Sequence, residues 1–363
     1  MSEQGIPIQD PAPDFHTFVQ VLKGEKRPEK VHFVELGIDG EIVQYVLDRY
    51  MNRSYVPLTA GTRREHQKQA VDFFHLMGYD YVPVWPGWNN LPTFKERTAE
   101  DTAPLSRGER RWVEEGGGII RTWHDFEKIS WESIRPDLQM LECAEECLPE
   151  GMQIAVVTTF FEAILELFMG YQDLFVLSYD NPELVEAVFE QVGHKVYTLY
   201  QEAVQHPKVG VVFHGDDLGH KTGTLLSPEF LRRNVFPWFK RFASLAHERG
   251  KLYWYHSCGN PAGVMEELIE DVKIDAFHSF QDVILPVGQF MKRYGDRIAV
   301  LGGVDVDNMA RMREPELRRY VRGILKECTP GRYALGSGNS VTNYVPPENY
   351  LAMLDEGVRW GRG

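Results

Sequence analysis

His256 and Cys258 lie two residues apart at the end of an apolar run, KLYWYHSCG, residues 251–259. In a strand, side chains at i and i+2 point to the same side, so an imidazole and a thiol would converge on one point. Both are ligands that zinc favours, and a catalytic zinc takes three protein ligands and keeps a fourth position open. Polar residues also follow the other apolar runs of the chain. Glu35, Trp85, Thr158 and Thr159 close the first three, and His214, Asp216 and Asp217 close the fourth. His278 with Gln281, then Asp305, then Ser337 with Asn339 close the last three. Such a set can bind a metal and move protons, although any single member could equally be a satisfied polar group of the core. The other cysteines fall elsewhere. Cys328 precedes the last run, some five extended residues or roughly 17 Å from the opposite end, and Cys143 and Cys147 are spaced as one face of a helix.

The elements that must position these groups alternate. Runs at 32–36, 81–85, 153–158, 210–214, 252–256, 275–278, 299–302 and 333–336 are short, rich in β-branched or aromatic residues and bounded by Gly, Pro or Asp. Residues 64–77 and 230–249 between them carry apolar residues at helical steps. Ser227-Pro228-Glu229 reads as a helix start and Gly250 as its stop, and Pro346-Pro347-Glu348 starts the last helix in the same way. Eight such alternations predict an α/β chain folded as a (β/α)8 TIM barrel, with a doubly wound open sheet as the alternative. In a barrel the carboxyl ends of the strands form the working face, which is where the residues above would gather.

Residues 1–30 read as an N-terminal arm and 31–363 as one barrel, with a long insertion at about 87–149 after the second strand. Within it, 110–115 and 119–126 flank Gly116-Gly117-Gly118 and predict a β-hairpin over the working face. Its Trp112 and Trp123 could close the site and Arg110, Arg111 and Arg121 could meet an anion; packing against the barrel or a second subunit is the other reading. A net charge of -14 over 363 residues argues against nucleic acid or anionic lipid as partner. No apolar stretch has membrane-spanning length and the first residues lack a signal-peptide pattern, so a cytoplasmic protein is expected. Four cysteines in such a length do not suggest a disulfide framework.

HGDDLG, HSCGN, LGGVDVD, GSGNSV and PPENYLAM, spread from 214 to 353, resemble the uroporphyrinogen decarboxylase superfamily over about residues 30–360. That resemblance implies a (β/α)8 barrel and one of two activities. The decarboxylase branch grips a polycarboxylate with an arginine-rich segment of the type RQAGRYLPEY. Here the corresponding stretch reads VHFVELGIDGEIVQYVLDRY, with Glu35 and no arginine cluster, and a polycarboxylate needs fixed guanidinium partners. The corrinoid-linked methyltransferase branch places zinc on a His-x-Cys pair and a further cysteine after the last strand. His256 and Cys258 match the pair, but Gly336-Ser337-Gly338-Asn339 holds no cysteine. The third ligand is then expected from Asp217, Glu35 or His214, with Asp217 preferred.

The reading that follows is a zinc-dependent methyltransferase moving a methyl group from a small donor, such as a methoxylated aromatic, to a separate corrinoid protein. Metal ligands would be His256, Cys258 and Asp217 or Glu35, and proton transfer would fall to Asp216, Asp217 or His214. Trp85, Trp88 and Phe160 would form apolar walls, with His278, Gln281, Asp305 and Asn339 facing the substrate. A homodimer is compatible with this reading. The alternatives are uroporphyrinogen decarboxylase or another metal-free lyase, and a non-catalytic small-molecule-binding barrel.

Overall fold

The structure is a computed structural model and describes residues 5–94, 96–113 and 117–361. Seven short strands form one parallel sheet: β1 (Tyr81–Val84), β2 (Gln153–Thr158), β3 (Val209–Gly215), β4 (Leu252–His256), β5 (Ala276–His278), β6 (Ala299–Leu301) and β7 (Tyr333–Ala334). Each pairs with the next in chain order, and helices fill the connections. A doubly wound sheet would reverse its order at a switch point; this one never does.

The sheet is also curled. The rings of Tyr81 on β1 and Trp254 on β4 lie 5.3 Å apart, whereas three strand spacings in a flat sheet would part them by about 14 Å. Their faces turn inward onto Phe18, fully buried on the N-terminal helix Phe15–Leu22, which also stacks on His32 at 4.8 Å. Asp80 secures this end of the fold, accepting from His32 Nδ1 at 2.6 Å, Lys30 Nζ at 3.0 Å and the Asp14 amide at 2.7 Å. The architecture is that of a TIM-barrel-like α/β fold.

The expected first strand takes a reduced form. Residues 32–36 lie beside β7 through a single parallel bridge, Phe33 to Leu335, with Val34 N donating to Leu335 O and Leu335 N to His32 O, both at 2.9 Å. Towards β1 no backbone bridge occurs among the described residues. The Tyr81 hydroxyl fills that joint, donating to Glu35 O at 2.6 Å and accepting from Glu35 N at 2.9 Å. A side chain does there what a ladder does elsewhere.

Helix starts follow the expected chemistry. Ser227 accepts from Phe230 N ahead of Pro228–Asn234, and Asn181 caps Pro182–Ala203, whose Val185, Val188, Val192, Val196 and Leu199 form one buried stripe. The single helix expected over 230–249 is divided into Pro228–Asn234 and Phe236–Glu248. Pro237 has no amide to donate across the junction. No helix among the described residues is long and apolar enough to cross a membrane.

The insertion holds a hairpin, but not the expected one. Glu109–Val113 pairs with the preceding Glu96–Glu100, and Trp123–Lys128 is a helix capped by Thr122. The Gly116-Gly117-Gly118 signal misled because Thr122 and Asp125 form a capping box that starts a helix in the second half; residues 114–116 lie outside the described ones. The hairpin lies over the loops after 32–36 and β7. Asp101 in its turn accepts from Asn343 Nδ2 at 2.7 Å, and Arg110 reaches Asp39 at 3.3 Å, which also holds the Asn343 amide at 2.9 Å. Arg121 is engaged by Asp173 at 2.7 Å.

Candidate metal centre

Asp217, His256 and Cys258 converge, with one ligand atom of each within 4.8 Å of the others. His256 Nε2 is 3.5 Å from Cys258 Sγ and 3.5 Å from Asp217 Oδ1. The local reason is strand parity and loop contact. Trp254 faces inward, so His256 does as well, and Cys258 continues that side. The loops after β3 and β4 close together where Gly219 and Gly259 meet backbone to backbone, Gly259 at φ +76. Any Cβ there would hit main chain at 2.2–2.3 Å. Asn260 N donates to His220 O at 2.9 Å and Cys258 N to Asp217 Oδ1 at 2.6 Å, fixing the carboxylate beside the thiol.

A relay behind His256 sets which nitrogen is free. The Ser337 carbonyl can only accept, so His278 Nε2 donates to it, at 3.2 Å. Burial, and then the charge of His256, hold His278 well below the ordinary histidine range, so it is neutral and its Nδ1 accepts. His256 Nδ1 donates to that nitrogen at 2.7 Å, which leaves Nε2 directed at Cys258 and Asp217. Gly302 (φ +81) makes this relay possible, because a Cβ there would meet Ser337 O at 2.2 Å and the His278 ring at 3.0 Å.

The electrostatics favour positive charge at the same point. Burial alone would lower the His256 pKa, but the Cys258 sulfur and the Asp217 carboxylate outweigh it and push the imidazole up to about 10. Burial would raise Asp217, yet the hydrogen bond and charge of His256 hold it below the usual carboxylate range. A cation placed among the three groups, proton or metal, satisfies both acidic partners. Cys258 Sγ in turn accepts from Asn339 Nδ2 at 3.0 Å, an amide whose Oδ1 is taken by Ser340 N at 2.8 Å. Ser279, with a positive φ of 148, places its hydroxyl 3.7 Å from the same sulfur.

Several expected site residues are engaged elsewhere. Glu35 is not at the cluster: it accepts from Ser337 N at 2.9 Å and its other oxygen meets the Ser337 hydroxyl, which also contacts Asn339 O. One hydroxyl hydrogen cannot serve both contacts and the carbonyl has none, so the Glu35 carboxyl carries the second. Burial, partly offset by the Ser337 hydrogen bonds, accordingly raises it to about 8. Asp216 accepts the amides of Phe160, Phe161 and Glu162 at 2.9–3.2 Å and His214 Nε2 at 2.7 Å, while His214 Nδ1 takes the Tyr200 hydroxyl at 2.8 Å. Both are fully buried, and their hydrogen bonds go to protein groups rather than to the cluster. Asp305 caps the helix Val306–Arg311 and holds Asp282 N at 2.8 Å, and Gln281 is exposed. Phe160 is buried among Phe189, Trp238, Phe239 and Phe242 rather than lining a cavity. Trp85 and Trp88 do line one, of about 230 Å³, together with Trp131 and Lys195.

Sequence reasoning missed Glu162. It is the middle residue of the short helix Phe161–Ala163, and burial, then the charges of Asp217 and Asp216, raise its pKa well above the ordinary value. Its only sequence signal is position, four residues past a strand end.

No family model matches the chain, and no curated protein matches it. Among solved structures it is similar to a methyltransferase from Methanosarcina mazei, at 14% identity and TM-score 0.67 over 96% of this chain and 99% of that one. A protein assigned as a vitamin-B12-independent methionine synthase from Listeria monocytogenes follows, at 13% identity and TM-score 0.50 over 93% and 98%. A B12-independent methionine synthase from a Shewanella species shares 10% identity at TM-score 0.50 over 84% and 90%. At such identities the likeness establishes a common fold along nearly the whole chain.

Proposed function

We propose that this chain is a methyltransferase that moves a methyl group from a small methoxylated aromatic donor to the cobalt of a separate corrinoid protein, with zinc held by Asp217, His256 and Cys258. The observation that carries the reading is the three-residue cluster. Ligands at about 2.0–2.3 Å from a tetrahedral zinc lie about 3.3–3.7 Å from one another, and both His256 separations are 3.5 Å. The donor set is one nitrogen, one sulfur and one oxygen, with Asp217 where related methyltransferases are expected to use a second sulfur. Asn339 meets the Cys258 sulfur as a hydrogen-bond donor instead. When bound, zinc would supply Lewis acidity at the departing oxygen.

The chain's own residues have separable tasks. His278 and the Ser337 carbonyl hold the hydrogen on His256 Nδ1 and aim Nε2 inward as the nitrogen that would give up its proton to the metal, as the partners of metal-bound histidines do. Asn339 steadies the sulfur and spreads its charge. In the transfer the O–CH3 bond breaks with its electron pair staying on oxygen, and the methyl carbon joins the cobalt of the reduced corrinoid protein, which supplies the electron pair of the new bond. The oxygen then needs a proton, and Glu162, held protonated by burial and by the charges of Asp217 and Asp216, would donate it rather than Asp216 or His214.

The test is elemental analysis of the purified chain together with a methyl-transfer assay using a methoxylated aromatic and a reduced corrinoid protein. About one zinc per chain is expected, lost in Cys258→Ser and His256→Ala along with transfer. Metal-free protein after growth with zinc would overturn the metal assignment. Conversion of uroporphyrinogen, followed by chromatography, would overturn methyl transfer in favour of decarboxylation.

A further inference from the structure

The cavity bounded by Trp85, Trp88, Trp131 and Phe168 is lined by none of the three cluster residues. Its wall is formed by the ends of β1 and β2, the helix Pro182–Ala203 and the insertion, and its volume of about 230 Å³ admits a single substituted ring. Most of the lining is apolar. Trp131 and Phe168 stand as a tilted pair at 5.2 Å, and Val192 and Val196 complete the floor. Flat aromatic walls favour a flat aromatic occupant, through offset or edge contacts with the ring faces.

Three polar side chains besides the indoles interrupt this lining. Among the described residues, the hydroxyls of Thr158 and Thr159 make no hydrogen bond and the Lys195 ammonium makes neither an ion pair nor a hydrogen bond. Lys195 is half-buried on its helix, and desolvation, then the nearby Arg135, hold its pKa below the usual lysine value against the opposing charge of Glu132. A partly desolvated ammonium that no carboxylate directly pairs gains from an anion that joins it. Ligand sites characteristically combine apolar walls with a few convergent polar groups of this kind.

We propose that this cavity binds an aromatic monocarboxylate, its ring between Trp88 and Trp131 and its carboxylate on Lys195 and the threonine hydroxyls. The inference rests on the methyl-transfer reading only for calling the occupant the methyl donor. The positions are suited to that role, since Ala163 lines the cavity and its neighbour Glu162 feels the charges of Asp217 and His256. Lys195 then selects acids over neutral aromatics, which a purely apolar pocket cannot do.

The experiment uses the full chain and compares 3-methoxybenzoate with its neutral methyl ester by calorimetry and tryptophan quenching. Wild type should bind the acid saturably and at least about tenfold more tightly than the ester, the equivalent of one charge-assisted hydrogen bond. Lys195→Met should remove that preference while leaving ester binding unchanged, and Trp88→Ala should weaken both ligands. Equal affinity for acid and ester in wild type, an unchanged preference in Lys195→Met, or no saturable binding would each overturn the proposal. Cys258→Ser separates the two claims. That variant should lose zinc and transfer yet still bind the acid. A wild type that binds the acid but carries no zinc and transfers no methyl group sinks the proposed function and leaves this site standing; zinc and transfer without acid binding does the reverse.

Discussion

At the residue scale the fold assigns different tasks to residues of the same type. Three buried histidines lie at strand ends, and their partners alone separate them: His214 between Tyr200 and Asp216, His278 between Ser337 and His256, and His256 with a nitrogen directed at a thiol and a carboxylate. His278→Phe removes the acceptor that fixes the His256 tautomer. It should weaken zinc binding about 10- to 100-fold in a protein that still folds, measured by competition with a chelator. Binding must also displace a proton from an imidazole whose pKa is raised to about 10, so zinc affinity should rise by roughly tenfold per pH unit between pH 6 and 8; a flat profile would exclude His256 as a ligand. Glu35 gives a stability signature of the opposite kind. Its folded pKa of about 8 exceeds its ordinary 4.5, so the folded chain binds the extra proton, and stability from this group is full below pH 4.5 and is lost as pH rises towards 8. Glu35→Gln keeps the hydrogen bonds to Ser337 and should flatten the Tm profile over that window, with a higher Tm than wild type at pH 8. The His256/Cys258 pair was legible because spacing of two on a strand has one geometric meaning. Asp216 and Asp217 were not separable that way, since adjacent residues just past a strand end face opposite sides and the chain alone does not say which.

At the element scale, seven of eight expected strands form the sheet, and the missing one is informative. Residues 32–36 have the apolar pattern of a strand but only one bridge, and the Tyr81 hydroxyl carries the other side. Tyr81→Phe would leave the amide and carbonyl of Glu35 buried and unpaired. At about 1–3 kcal/mol for a stranded group, a loss of roughly 2–4 kcal/mol is expected in denaturant unfolding; a change below about 0.5 kcal/mol would show that the joint is held otherwise. The strand ends were readable from β-branched runs stopped by Gly, Pro or Asp. The hairpin partner was not, because Glu96–Glu100 is exposed throughout and lacks an apolar alternation to read.

At the scale of the whole molecule, the three cluster residues come from the ends of two adjacent strands, β3 and β4, His256 closing β4 and Asp217 and Cys258 lying in the loops that follow. Their convergence therefore depends on the folded sheet, and zinc should stabilise the native state without favouring the unfolded one. A rise in Tm with zinc that is absent in Cys258→Ser is the expected outcome, about 2.7 kcal/mol at a hundredfold excess over Kd. The sequential order of the sheet, and with it the common face of His256, Cys258 and Asp217, followed from the alternation of elements. The destination of individual polar side chains did not, because helices pack against the outer side of the same strands and take His214 and Asp216 for themselves. The Tyr81 joint also bears on how the molecule breathes. A wall laddered everywhere except at one place opens there first, so the amides of 32–36 should exchange with deuterium well before those of β2 and β3. Each such opening loosens Glu35 from Ser337, whose carbonyl begins the relay to His256. The slowest-exchanging half of the wall and the half that sets the imidazole are thus different halves, and the rate of opening at the joint becomes an upper bound on how long the metal centre keeps a single geometry.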